Sequence, residues 1–197
     1  MPATQIFPTD ILPAPTFAAE RAQRRAALLP KKKLRRIDVG PYCTFYFECF
    51  DTMLFQVQEM LHIEGGGEAQ LADELAAYNP LIPKGDELVA TIMFEIDDPD
   101  RRERFLARLG GVESQFFIKV GDNIIRGQQE TDTERTRDDG KASSVHFAHF
   151  HFTPPQIAAF RDKNTQVFVG VDHTQYAHMA MLSDESCREL ANDFART

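Results

Sequence analysis

The sequence predicts an α+β fold: a largely antiparallel sheet of about six to eight strands with helices packed on its faces. Three observations predict it. Apolar alternating segments outnumber strand–helix–strand units, hairpin-type pairs recur, and no internal repeat appears. A chain of 197 residues is read as a single globular domain over 1–197. That length suffices to bury about 70% of its unfolded surface.

The elements follow in order. Pro2, Pro8, Pro13 and Pro15 predict an irregular N-terminal arm over 1–16, with turn or N-cap chemistry at Thr9-Asp10. A helix is expected over 17–29, with Ala22, Ala26 and Leu29 in step and Pro30 ending it. Residues 34–39 enter a strand, and Gly40-Pro41 turns it into the aromatic strand 42–50, rich in large side chains on both faces and expected to be central. Asp51-Thr52 then starts an amphipathic helix whose apolar stripe is Met53, Leu54, Val57, Met60 and Leu61. Gly65-Gly66-Gly67 breaks it, and a second helix runs over 68–78 to Asn79-Pro80.

Residues 87–96 alternate as a strand, and 101–109 form a helix closed by Gly110-Gly111. A hairpin is expected over 114–120 and 123–126 across Gly121-Asp122, followed by an exposed polar loop over 127–141. A strand over 143–152, a helix opened by Thr153-Pro154-Pro155, a hairpin over 166–172 and 177–182, and a helix over 183–194 complete the chain.

Charge is distributed unevenly. Arg21, Arg24, Arg25, Lys31, Lys32, Lys33, Arg35 and Arg36 place eight cations in sixteen residues with no acid among them. The net charge is −8, so the rest of the chain carries −16. Such a segment can meet an acidic protein partner or dock on its own acidic body. A pI near 5.2, without aromatic platforms beside the cations, argues against nucleic acid. No apolar run approaches a membrane span and no signal pattern opens the chain, so a cytoplasmic protein is expected. Cys43, Cys49 and Cys187 form no C-x-x-C motif and read as three buried thiols.

Two polar constellations are candidates for chemistry. His149 and His151 share one face of a strand, about 7 Å apart along it, and could offer two imidazoles to a divalent metal. Asp172, His173 or His178 on the next hairpin could supply a third ligand, with His173 taken into the candidate set. Gln56 and Glu59 are the second constellation, a ligand-binding pair on the amphipathic helix. Glu59-x-x-His62 has di-iron spacing, but no second copy exists. Nucleophile-elbow, Walker and dinucleotide motifs are absent from the sequence.

The blocks Arg36-x-Asp38-Val39-Gly40-Pro41, Phe47-Glu48, Asp51 to Met60, Tyr78-Asn79-Pro80-Leu81-Ile82-Pro83 and Glu87-Leu88-Val89-Ala90-Thr91 resemble a bacterial family catalogued as domain of unknown function 3501. The resemblance spans nearly the whole chain. It implies a setting beside rubrerythrin-like and iron–sulfur redox proteins, and it carries over no functional residue.

Two functional expectations follow. One is a cytoplasmic accessory or binding protein acting beside a redox or iron-handling system, meeting an acidic or redox protein partner through its basic segment or the 127–141 loop. The other is a metal-dependent enzyme or metal-binding protein using the His149/His151 pair, with a divalent metal as cofactor.

Overall fold

The computed structural model describes residues 3–129 and 141–195. The fold is α+β, with nine strands in two antiparallel sheets and six helices among the described residues. The strands are β1 (Arg36–Val39), β2 (Cys43–Phe47), β3 (Glu87–Phe94), β4 (Phe116–Val120), β5 (Asn123–Arg126), β6 (Gln128–Gln129), β7 (Val145–His151), β8 (Val167–His173) and β9 (Tyr176–Met181). The helices are α1 (Ala14–Leu34), α2 (Phe50–Glu64), α3 (Gly67–Tyr78), α4 (Pro99–Leu106), α5 (Pro154–Arg161) and α6 (Asp184–Leu190). One sheet runs β1-β2-β3-β7-β6 and the other β5-β4-β8-β9.

Strand alternation assigns each sheet an inner face. Phe45, Ile92, Ala148 and Phe150 of the first sheet meet Phe116, Ile118, Val169 and Val171 of the second in one core. The Phe45 and Phe116 rings close the gap edge to face, with centroids 5.9 Å apart. A smaller core lies on the opposite face of the five-stranded sheet. There α2 sets Met53 and Val57 against Val89, Ile82, Leu81 and Ile6.

The β1–β2 turn is tied to β9 across the sheet edge. The Tyr176 hydroxyl donates to the Val39 carbonyl and accepts from the Tyr42 and Cys43 N–H groups. Gly40 sits in this turn at φ 68°, and a Cβ there would come within 2.6 Å of the His178 ring. Both the left-handed backbone and the close approach select glycine.

Local signals place most boundaries. Gly65 closes α2 in the left-handed conformation, and Gly121-Asp122 forms the β4–β5 turn. Asp98 caps α4 by accepting from the Arg101 N–H, and Thr153 sits at the N-cap of α5. The aromatic strand lies between β1 and β3, second from the edge rather than central.

The first helix departs from expectation. It starts at Ala14 and runs through Pro30 to Leu34, although Pro30 has no N–H to give the carbonyl four residues back. Ala22, Ala26 and Leu29 are exposed rather than packed. The packed face carries Phe17, Arg21, Leu28 and Lys31, with one ion pair before the proline and one just beyond it. Arg21 pairs with Glu59 and Lys31 with Asp51.

The exposed loop expected over 127–141 begins instead with β6, paired to β7, and residues 130–140 lie outside the described residues. All three cysteines are free, but only Cys43 and Cys49 are buried, Cys187 being half-buried.

Candidate ligand-binding cleft

Beyond β2 the chain continues as Glu48 and Cys49 before α2 begins. Alternation puts Thr44, Tyr46 and Glu48 on the outer face of the five-stranded sheet. There α2 crosses overhead and the end of α1 closes the side. The space left is a cleft of about 220 Å³ lined by Lys32, Tyr46, Glu48, Met53, Gln56 and Met93, among others.

Glu48 is buried at the wall of this cleft. One carboxyl oxygen lies 2.7 Å from the Thr52 hydroxyl and the other 2.7 Å from the Thr91 hydroxyl. Thr52 also accepts the Cys49 N–H at the start of α2, so the helix start and the carboxyl share one anchor. Burial pushes the Glu48 pKa above its ordinary value; the two threonine hydroxyls and the charges of Lys32 and Arg35 oppose that rise without cancelling it.

Arg35 is committed elsewhere. Its guanidinium donates to both Asp193 oxygens at 2.9 and 2.7 Å and to Glu189 at 2.9 Å. Lys32 and Gln56 differ from it: neither side chain hydrogen-bonds another described residue. The cleft therefore offers a buried carboxyl group, an amide and an ammonium beside two thioethers. Cys49 adds no nucleophile, since burial raises its thiol pKa.

The candidates from sequence are placed as follows. Gln56 lines the cleft. Glu59 does not: it forms a two-point ion pair with Arg21, 2.7 Å at each contact, and the Arg21 hydrogen bond holds its pKa low. His149 and His151 do share the outer sheet face, their rings stacked with centroids 6.2 Å apart. Buried Glu87 lies between them, with Oε2 2.9 Å from His149 Nδ1 and 3.6 Å from His151 Nδ1.

His173 is not brought to this pair. It belongs to the other sheet, which faces the opposite side of β7, and its ring contacts the Gly110 carbonyl. On the same hairpin Asp172 pairs with Arg126, and His178 packs on Tyr176. Among the described residues no group of three His, Cys, Asp or Glu side chains is placed to hold a metal ion.

Much of the basic segment docks on the body of its own chain. Arg21, Lys31, Arg35 and Arg36 pair with acids elsewhere in the chain and Arg24 with Glu20 of its own helix, leaving Arg25, Lys32 and Lys33 without salt bridges to described residues. Glu48 was visible in the sequence as the acid on a strand otherwise lined by large side chains. Its threonine partner Thr91 lies 43 residues away, a separation no local pattern signals.

Fold and cleft together define an α+β protein of two antiparallel sheets with a buried carboxyl group at a small outer-face cleft. Its relatives agree with the architecture. The chain belongs to the family described as Protein of unknown function (DUF3501), whose model matches residues 5–194. It is similar to a crystal structure of a protein of unknown function from Burkholderia pseudomallei K96243. The two are 31% identical with a TM-score of 0.89, over 97% of this chain and 100% of that one. No curated protein matches. No described helix is long and apolar enough to cross a membrane.

Proposed function

We propose that the protein is a binding protein that takes a small polar organic molecule into the Glu48 cleft. The observation that carries this reading is a buried carboxyl group at the wall of a cleft, with two polar side chains beside it, Lys32 and Gln56, that have no hydrogen-bond partner among the described residues. The redox or iron-handling setting is supported by the family resemblance alone, and an acidic partner would meet Arg25, Lys32 and Lys33.

The test is a thermal-shift screen of small metabolites on the full chain, with Glu48→Gln beside it. Glutamine keeps the shape and can still bond both threonines. A ligand at a hundred times its Kd is expected to stabilise the wild type by about 2.7 kcal/mol, and the variant should not respond. Hits that stabilise both proteins equally would place the ligand elsewhere.

The same variant has a pH signature. Because burial raises the folded-state pKa of Glu48 above 4.5, folding binds its proton more tightly than the unfolded chain does. This contribution is full below pH 4.5 and is lost as pH rises through the folded value. Glu48→Gln lacks the loss, so its urea midpoint is expected to gain on the wild type from pH 4.5 upward and then run parallel. Curves parallel across the whole range from pH 4 to 8 would remove the shifted carboxyl from the account.

Glu87 favours a second reading, metal binding. Two donor atoms ~2.1 Å from one ion and ~90–120° apart lie ~3.0–3.6 Å from each other. The Glu87 distances to His149 and His151 are 2.9 and 3.6 Å, which suits either imidazole beside Oε2. The two rings, 6.2 Å apart, would have to turn toward each other to share one divalent ion. Elemental mass spectrometry on chelator-free protein separates the readings. This one expects close to one equivalent of metal, lost in His149→Ala/His151→Ala. Equal, trace metal in both proteins would end it.

A further inference from the structure

Resting on the reading that the Glu48 cleft binds a small molecule, we infer that its ligand is an apolar amino acid or a zwitterion like it. The ammonium would be set against Glu48, the carboxylate toward Lys32 and Gln56, and the side chain beside Met53 and Met93.

Charge comes first. An ionised carboxylate in a desolvated site needs a cation close by. The guanidinium of Arg35 is taken up by Asp193 and Glu189, and the Arg35 bond to Glu48 goes to its backbone carbonyl. Lys32 is the remaining cation facing Glu48, and it is exposed. The other close groups, Thr52 and Thr91, are neutral hydroxyls. Each Glu48 oxygen accepts one threonine bond, which leaves acceptor capacity on both for the three donors of an ammonium.

Lys32 and Gln56 also line the cleft, an ammonium and an amide without hydrogen-bond partners among the described residues, whose N–H groups suit a carboxylate. The apolar part of the lining includes Met53 and Met93, whose flexible thioethers adapt to small apolar groups. Size narrows the class further. About 220 Å³ is below the ~300–1,000 Å³ typical of pockets that bury drug-sized ligands. An amino acid fits within that limit, and a nucleotide does not.

The experiment is NMR of protein carrying methyl-labelled methionine, with Met53 and Met93 as reporters. The probes are glycine, alanine, valine, leucine and methionine, then N-acetyl-leucine, which lacks the ammonium, and isoamylamine, which lacks the carboxylate. Expected are saturable shifts of both methyls with the larger amino acids and at least tenfold weaker binding of the two truncated probes. Glu48→Gln should remove the leucine response. Lys32→Gln should weaken leucine and leave isoamylamine unchanged. Equal binding of leucine and N-acetyl-leucine would overturn the zwitterion, as would shifts only from neutral or anionic compounds of the metabolite screen, and both leave the cleft standing. No shift from any compound, zwitterions and screen together, would overturn the ligand class and the cleft reading alike.

Discussion

Arg35→Met is expected to destabilise the protein by about 3–5 kcal/mol at pH 7, because it strands a buried acid. Arg35 and Asp193 are both buried, and their two-point contact joins parts of the chain 158 residues apart. Burial already raises the Asp193 pKa, against the pull of Arg35. Without the guanidinium, Asp193 must either hold an unpaired charge or take up a proton, and the Glu48 carbonyl loses a donor as well. Glu189, less deeply buried, can turn to solvent.

Two consequences distinguish this from a simple packing defect. The deficit should shrink as pH falls, since folding of the variant is then coupled to protonation of Asp193. Arg35→Met/Asp193→Leu should recover most of the loss, as apolar replacement of a whole buried pair is often neutral. Urea unfolding at pH 5 and 7 reads both. A single-variant loss below about 1 kcal/mol would show that water reaches the pair and screens it.

Phe45→Ala should cost a similar amount, about 3–5 kcal/mol, by leaving a cavity between the sheets. Phe45 is fully buried, and its ring meets Phe47, Phe116 and Phe150 with centroids 6.2, 5.9 and 6.5 Å away. Phe116 belongs to the four-stranded sheet, so the truncation removes a bridge between layers as well as apolar area. Phe45→Leu, which retains more of the volume, should lose markedly less. Denaturant midpoints compared at unchanged m would check the order. An alanine variant as stable as the leucine one would mean that the sheets close over the gap.

These two sites also show where sequence reasoning reaches and where it stops. The Phe45 face followed from alternation along a single strand, a local property that survives into the fold. The α+β class, the hairpin turn at Gly121-Asp122, the close of α2 at Gly65 and the start of α5 at Thr153 were legible for the same reason. Each depends on backbone preferences within a few residues.

Tertiary structure decided the rest. Counting apolar residues on the first helix pointed to Ala22, Ala26 and Leu29, while the helix packs through Phe17, Arg21 and Lys31 and passes Pro30. Gln56 and Glu59 were paired in the sequence; folding sets Gln56 at the cleft, makes Glu59 half of an ion pair, and buries Glu48 at the cleft wall. The charge state of a carboxyl group depends on how much water and which charges surround it. For Glu48 those neighbours come from α1, α2 and β3, which only folding brings together.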